Sequence, residues 1–205
     1  MKSKLQIVET GFSPLPSGYR MRKDGVFREV KDREEKTTWI FLCSSISVIA
    51  MVRDAKGTGW GRLVEVINPD GVPLPRVIPA KLFATDGAEL RTILLDMGLT
   101  LAPTRGSKDA LTDLLQRWKP SARLTTVDRL GWTDETCSTF VCGDGRVLGA
   151  DNVMFLNDDS PVLAAEMKPA GTLEDWIAGV AALCSGNPLM CFALSLAFAG
   201  PLLEP

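Results

Sequence analysis

The C-terminal part of the sequence has no charged residue from Trp176 to Leu203, and this feature constrains the fold more than any other. A helix that is apolar on every side has to be buried, in a protein core or in lipid. Ser185-Gly186-Asn187-Pro188 interrupts the stretch and leaves about 15 apolar residues after it, fewer than the roughly 20 that span a bilayer. A basic flank that would set a membrane orientation is also missing. We therefore expect two helices that are buried in protein, without membrane insertion.

Composition and charge exclude several classes of function. The 205 residues include no histidine, which rules out Ser-His-Asp and Cys-His catalysis and histidine-metal sites within this chain. The net charge is −2, but residues 1–36 carry nine Lys/Arg against six Asp/Glu, which leaves room for a local basic surface. Five cysteines, three of them in apolar runs, favour a reduced, cytoplasmic protein over a disulfide framework.

The first third of the sequence has the alternating pattern of β-strands. "GYRMRKDGVFREV" predicts a hairpin that turns at Asp24-Gly25. "WIFLCSSISVIAMVRD" predicts one or two buried strands, and "RLVEVIN" predicts a half-buried strand after the glycine-rich turn "AKGTGWG". A turn at Asn68-Pro69-Asp70-Gly71 leads into "VPLPRVIP", whose prolines confine it to the edge of a sheet.

Two helices, further strands and the apolar helices follow. We expect helices near 88–97 and 108–118, the second with Ser107 as its N-cap. "ARLTTVDRLGW", "STFVC" and "NVMFL" indicate strands, and Thr172 to Asp175 form a capping box for the first apolar helix. This order predicts an α+β fold. It divides into a β-rich module with helices over 1–150 and a helical segment over 151–205, or forms one continuous domain.

The glycine-rich hairpin is the first candidate for nucleic-acid binding. Its glycines resemble a dinucleotide fingerprint, but a strand follows where that motif requires a helix. An exposed aromatic ring among cations is typical of single-strand binders, because bases stack on the ring while the cations neutralise phosphates. The candidate residues are Arg53, Lys56, Trp60 and Arg62. The alternative is a Trp60 side chain that is tucked against the sheet.

The N-terminal hairpin is the second candidate, through its basic residues Arg20, Arg22, Lys23 and Arg28. No catalytic or metal-binding constellation emerges elsewhere. Cys137-x4-Cys142 offers two ligands where zinc needs four, so we interpret these thiols as part of a strand region. The phosphate-binding loop G-x-x-x-x-G-K-[ST] is absent. We therefore expect no catalytic residue, metal or cofactor in this chain.

Several segments, taken in order, resemble the family of the domain of unknown function 927. They are "GYRMRKDGVF", "IPAKLF", "ARLTTVDRLGW", "GTLEDWIAGVAAL" and "CFALSLAFAGPLL". The family occurs in prophage and mobile-element proteins described as primase-helicases or helicases. The most specific element is a box formed by Arg123, Arg129, Gly131 and Trp132, to which we assign a packing role. Thr133 stands where relatives often have a histidine.

The resemblance implies the non-catalytic N-terminal region of a mobile-element or prophage DNA helicase, serving DNA binding, subunit assembly or both. In similar proteins the phosphate-binding loop of an ATPase core follows the last helix, so ATP and Mg would belong to residues beyond 205. The partners would be single-stranded or forked DNA and further copies of the chain. The alternative is a stand-alone interaction module whose apolar C-terminal helix binds a partner or a second copy.

Overall fold

A computed structural model describes residues 14–31, 34–156 and 170–199. The chain forms two compact units, Met1–Thr125 and Thr126–Pro205. A β-rich first half, two mid-chain helices, further short strands and two C-terminal helices follow one another along the sequence. The predicted α+β fold class is therefore confirmed.

The first sheet of the N-terminal unit is antiparallel, with the strand order β1 (Tyr19–Arg22), β2 (Gly25–Lys31) and β3 (Thr37–Cys43). The predicted hairpin is confirmed, since Arg22 pairs with Gly25. Gly25 has a φ of +140°, and a Cβ there would collide with the carbonyl oxygen of Cys43. Only glycine fits at this point, because the backbone of β3 passes directly over it.

The second sheet contains β4 (Ile46–Asp54), β5 (Gly61–Ile67) and β6 (Pro73–Pro79), paired antiparallel in that order. β6 is an edge strand of this sheet, because its prolines cannot donate hydrogen bonds to a further strand. On the other side of β4, the amide of Met51 donates to the carbonyl of Ala122 at 3.0 Å, next to the start of β7 (Arg123–Val127). The predicted turn at Asn68–Gly71 is present, with the Gly71 amide donating to the Asn68 carbonyl at 2.9 Å.

Helices α1 (Ala88–Asp96) and α2 (Ser107–Arg117) complete the hydrophobic core of this unit, after a 3-10 turn at Ala80–Phe83. Leu111, Leu114, Leu115 and Trp118 lie on one face at the end of α2, and all four are buried. The core combines side chains from both helices with strand residues: Val26, Leu42, Ile46, Val64, Ile78, Leu90, Leu94, Leu111, Leu114, Leu115 and Trp118.

The predicted N-cap of α2 was wrong. Gly106, with a φ of +76°, precedes the helix, and Ser107 is its first residue. The Ser107 hydroxyl lies 2.5 Å from the Thr104 hydroxyl, so it bonds to the preceding turn rather than to the free amides of the helix. The left-handed conformation of Gly106 lets the chain enter the helix without a side-chain cap.

The C-terminal unit contains a small sheet of two-residue strands, in the order β10 (Val147–Leu148), β9 (Phe140–Val141) and β8 (Gly131–Trp132). β11 (Val153–Phe155) follows, and the next residue, Leu156, donates its amide to the carbonyl of Val127 at 2.8 Å. The predicted strand segments of this region are therefore confirmed.

Two apolar helices form the end of the described chain. α3 (Leu173–Trp176) begins with the predicted capping box and continues through a π-helical turn (Ile177–Ala181) into α4 (Ala182–Cys184). α5 (Pro188–Ala197) starts at Asn187, whose side chain accepts from the Met190 amide at 3.3 Å. The predicted continuation to Leu203 lies in part outside the described residues, from 200 onward.

These helices are expected to be buried in protein, but the described residues do not cover them. Leu189 is 80% exposed and Phe192 is 64% exposed, and within residues 170–199 only Cys184 is buried. The two helices contact each other through the Trp176 and Phe198 rings, 5.8 Å apart, and through the Cys191 thiol, which donates to the Cys184 carbonyl at 3.3 Å. The described part of the chain provides no other surface that covers them. Nor is any helix in this part long and apolar enough to cross a bilayer.

Candidate nucleic-acid interface

The loop between β4 and β5 is a tightly bonded turn. The Asp54 carboxylate accepts from the Thr58 amide at 2.7 Å and from the Thr58 hydroxyl at 2.6 Å. These hydrogen bonds lower the pKa of Asp54, because they favour its charged form. Gly57 and Gly59 have φ values of +80° and +59°, so the turn uses the left-handed conformation that glycine allows. The sequence therefore builds a defined loop rather than a loose one.

Three of the four residues predicted for this hairpin are exposed. Trp60 is 43% exposed, and the guanidinium carbon of Arg53 lies 5.9 Å from the centroid of its ring. Lys56 is exposed at the turn itself. The structure thus brings one open indole ring and two cations together on one hairpin.

The fourth residue, Arg62, is placed differently. It is 6% exposed, donates through Nη2 to the Gln116 carbonyl at 2.8 Å and lies 4.7 Å above the Phe83 ring. Burial lowers the pKa of Arg62, because the charged form loses solvation. Its position in β5 and its partner at the end of α2 make it a packing contact of the fold.

Arg28 has a similar structural position. Its Nη1 and Nη2 groups donate to the carbonyls of Gly106 at 3.0 Å and Arg105 at 2.8 Å, just before α2. Tyr19, its register partner, lies on the same side of the sheet, with its hydroxyl 2.8 Å from the Asp113 carboxylate. Burial and the neighbouring Asp113 both raise the pKa of Tyr19. This side of the first sheet therefore packs on α2.

The remaining basic residues of the first hairpin, Arg20, Arg22 and Lys23, are exposed. Arg20 lies 4.3 Å above the Trp39 ring, and Arg22 lies 4.5 Å above the Phe27 ring. Neither ring is among the site residues predicted from the sequence. The period-two spacing of Trp39 and Phe41 could have indicated that they share one face of a strand.

The family box consists mainly of internal contacts. Arg123 donates through Nη1 to the carbonyls of Pro120 at 2.6 Å and of Ser121 and Ala122, both at 3.1 Å. Gly131 has a φ of +92°, and the Trp132 ring packs edge to face on Phe140 at 5.0 Å. Arg129 is exposed.

Thr133, which follows the box, donates its amide to the carbonyl of Thr139 at 3.0 Å. Its hydroxyl donates to the same carbonyl at 3.2 Å. The residue that departs from the family pattern therefore closes the loop between β8 and β9.

One similar solved structure is described as "SCCmec type IV Cch - active helicase", with a TM-score of 0.49 and 13% identity. The match covers 80% of this chain and 29% of that chain, so the present sequence spans under a third of that helicase. No curated protein matches the sequence. The sequence profile of the domain of unknown function DUF927 matches residues 19–205, nearly the whole chain. The protein therefore belongs to the DUF927 family.

Proposed function

We propose that this chain is the non-catalytic, nucleic-acid-binding region of a mobile-element or prophage DNA helicase. Membership of the DUF927 family supports the link, because the family resemblance implies an association with primase-helicases and helicases. The observation that carries the proposal is the β4–β5 hairpin, where exposed Trp60 lies beside Arg53 and near Lys56. In this proposal, ATP and Mg are bound by residues beyond 205.

The hairpin combines the two interactions that single-strand binders use. A base stacks on the open indole ring, while Arg53 and Lys56 neutralise the backbone phosphates on either side. The hydrogen bonds from Thr58 to Asp54 hold the turn before binding, so less conformational entropy is lost when the strand docks. Arg20, Arg22 and Lys23 supply further positive charge in the same unit.

The test is a binding titration with a fluorescently labelled single strand, a duplex and a fork, each over a series of salt concentrations. Trp60→Ala should weaken single-strand binding by roughly 1–3 kcal/mol, because one stacked base is lost. Arg53→Gln and Lys56→Gln should each reduce the slope of log K against log salt by about 0.7.

Leu130→Ala is the matched control for Trp60→Ala. Leu130 is 42% exposed, as Trp60 is 43% exposed, but it lies in the C-terminal unit. Its truncation should leave the affinity unchanged. Equal affinities for the wild type and Trp60→Ala would remove the hairpin from the site, and a wild type that binds none of the three probes at low salt would contradict the proposed function.

The exposed C-terminal helices favour a second candidate function, the interaction module, with a second copy of the chain as the partner. Large apolar side chains such as Leu183, Leu189 and Phe192 face solvent, and residues 176–199 contain no charge. Contiguous apolar surface of this kind marks a site of association. A surface without charge does not repel its own copy, so two such hairpins can pair.

Light scattering over a range of protein and salt concentrations tests this second candidate. We expect a dimer or larger assembly that persists at high salt, because apolar association does not depend on ion pairing. Phe192→Glu should shift the equilibrium toward the monomer, since it places a charge in the interface. Leu148→Glu, at an exposed position of β10, is the control and should not. A wild type that stays monomeric at all concentrations would exclude self-association.

A further inference from the structure

One face of the first sheet carries aromatic rings together with cations. The strand register pairs Arg20 with Phe27, Phe27 with Phe41, and Glu29 with Trp39. Directly paired residues point to the same side of an antiparallel sheet, as do residues two apart on one strand. Tyr19 and Arg28, on the other side, contact α2 and the loop before it. We call the side with Phe27, Trp39 and Phe41 the aromatic face.

The three rings are accessible, although each is partly covered. Phe27, Trp39 and Phe41 are all half-buried, whereas the residues of the opposite side, such as Val26 and Leu42, are fully buried. Phe27 and Phe41 pack edge to face across β2 and β3, with ring centroids 5.7 Å apart. This contact fixes the orientation of both rings before any ligand binds.

The cations of this face lie on the rings themselves. The Arg20 guanidinium is 4.3 Å above Trp39, and that of Arg22 is 4.5 Å above Phe27. Among the described residues of this face, Lys31 adds a third cation and Glu29 is the one carboxylate. The aromatic face therefore has a net positive charge, and two planar guanidinium groups lie over its aromatic rings.

We infer that the aromatic face is a stacking platform for single-stranded nucleic acid. The inference deepens the proposed function and depends on it, since it assigns a second contact surface and a strand preference to the same binding activity. Bases stack on Trp39 and Phe27, while the guanidinium groups that cover these rings swing outward to the phosphates. Duplex DNA is a poor ligand for this face, because its bases are stacked on one another and present no free ring surface.

The exchange of guanidinium for base is energetically favourable. An exposed cation–π contact changes an equilibrium by about 2- to 5-fold, whereas a stacked base changes affinity by roughly 5- to 150-fold. The displaced arginine then gains a phosphate partner, which binds a planar guanidinium through two parallel hydrogen bonds. The ring keeps a planar neighbour in both states, and the protein needs no backbone movement.

The test measures binding of a labelled thymidine strand of about 20 nucleotides, longer than the roughly 4–16 nucleotides that one single-strand site covers. A duplex of the same length is the second probe. Phe27→Leu and Trp39→Leu should each weaken single-strand binding by roughly 5- to 150-fold. Duplex binding should change less than about twofold, because it depends on phosphate contacts.

Phe140→Leu is the matched control. Phe140 belongs to the edge-to-face pair with Trp132, at 5.0 Å and 78°, which resembles the Phe27–Phe41 pair at 5.7 Å and 77°. It lies in the C-terminal unit and should leave both affinities unchanged. Thermal unfolding of each variant shows whether it folds. If a ring variant does not fold, Arg20→Glu and Arg22→Glu replace it, since both side chains are exposed and their reversal should weaken single-strand binding at least 5-fold.

The outcomes separate this inference from the function on which it depends. If the wild type binds the single strand and folded Trp39→Leu binds equally well, the aromatic face is not a binding surface, while the proposed function stands on the β4–β5 hairpin. Equal losses for the single strand and the duplex would overturn the stacking role. Equal losses for Phe27→Leu and Phe140→Leu would assign the effect to the fold. If the wild type binds neither probe at low salt, the inference and the proposed function both fail.

Discussion

A guanidinium group that packs inside a protein needs hydrogen-bond acceptors, and carbonyls at the two ends of α2 accept from the terminal nitrogens of Arg28 and Arg62. Arg28 bonds to the carbonyls of Arg105 and Gly106 before the helix, and Arg62 bonds to that of Gln116 near its end. The last carbonyls of a helix have no partner within it, and they carry a partial negative charge that favours a cation. These two side chains therefore hold α2 on the sheets from both ends.

Replacing Arg62 tests this structural position. Arg62→Leu should lower the free energy of unfolding by roughly 1.5–3 kcal/mol, because the hydrogen bond to Gln116 and the stack on Phe83 are lost together. Thermal denaturation should show this as a fall of the midpoint. Arg76→Leu is the matched control, since Arg76 is exposed on the outer strand β6 and should shift the midpoint little. Equal midpoints for the two variants would show that Arg62 does not stabilise the fold through these contacts.

At the scale of elements, the strands of the first unit could be predicted well from the sequence. Their alternation and the glycines at their turns are local features, and local features fix a strand and its ends. The cap of α2 could not be predicted in the same way. Gly106 and Ser107 are adjacent, and both residue types can precede a helix. The contact between Ser107 and Thr104 depends on the turn, which the residue types alone do not specify.

The aromatic face shows why a site can escape sequence analysis. Phe27 and Trp39 are 12 positions apart, and they share a surface only because β2 and β3 pair with the observed register. That register shifts between Val26 and Phe27, and such an irregularity is hard to read from a pattern. Arg53, Lys56 and Trp60 lie within one hairpin, so their spacing along the chain predicts that they lie together, whatever the strand pairing.

A further prediction at the scale of elements concerns the pH dependence of the loop between β8 and β9. The Asp134 carboxylate accepts from the hydroxyls of Thr136 and Ser138, the latter at 2.9 Å, and from their amides at 3.0 and 3.2 Å. These hydrogen bonds hold the pKa of Asp134 below its usual range, and those from the two hydroxyls have the largest effect. A lowered folded pKa means that the stabilisation is complete above the unfolded value of about 3.9 and is lost as the pH falls below it.

NMR chemical shifts of the Asp134 carboxyl carbon should therefore show less protonation at pH 4 than those of an ordinary aspartate, which is about half protonated there. The protection of the Thr136 and Ser138 amides, relative to intrinsic exchange at the same pH, should fall only at lower pH. In Asp134→Asn this pH dependence should be absent, because the amide side chain does not titrate. An Asp134 that titrates near pH 4 would show that the loop bonds do not form in solution.

At the scale of the whole molecule, most of the hydrophobic core formed by the described residues lies in the first unit. The main buried cluster runs from Val26 to Trp118, inside the Met1–Thr125 unit. A fragment that ends at Thr125 should therefore fold by itself and unfold in one cooperative transition. Circular dichroism during heating measures this directly. A fragment without a cooperative transition would mean that the core needs residues beyond Thr125.

At this largest scale, the sequence does not reveal which surface covers the last helices. The apolar character of residues 176–199 shows that these helices need a covering surface, but it does not show where that surface is. Burial is a property of the assembled molecule, and the described residues leave Leu189 and Phe192 open. The apolar pattern therefore predicts the two helices themselves. It predicts what surrounds them only when their binding partner is known.

The π-helical turn at Ile177–Ala181 sets the angular phase of the last helices. Such a turn accommodates one residue more than α-helical spacing allows, and each residue of an α-helix corresponds to a rotation of about 100°. Inserting one further residue between Trp176 and Cys184 would exceed what the turn accommodates and would rotate Trp176 by about that angle relative to Cys184. The hairpin could then keep the Trp176–Phe198 ring contact or the bond from Cys191 to Cys184, but not both. We therefore expect this segment to accept substitutions of its exposed side chains far more readily than a change in its length.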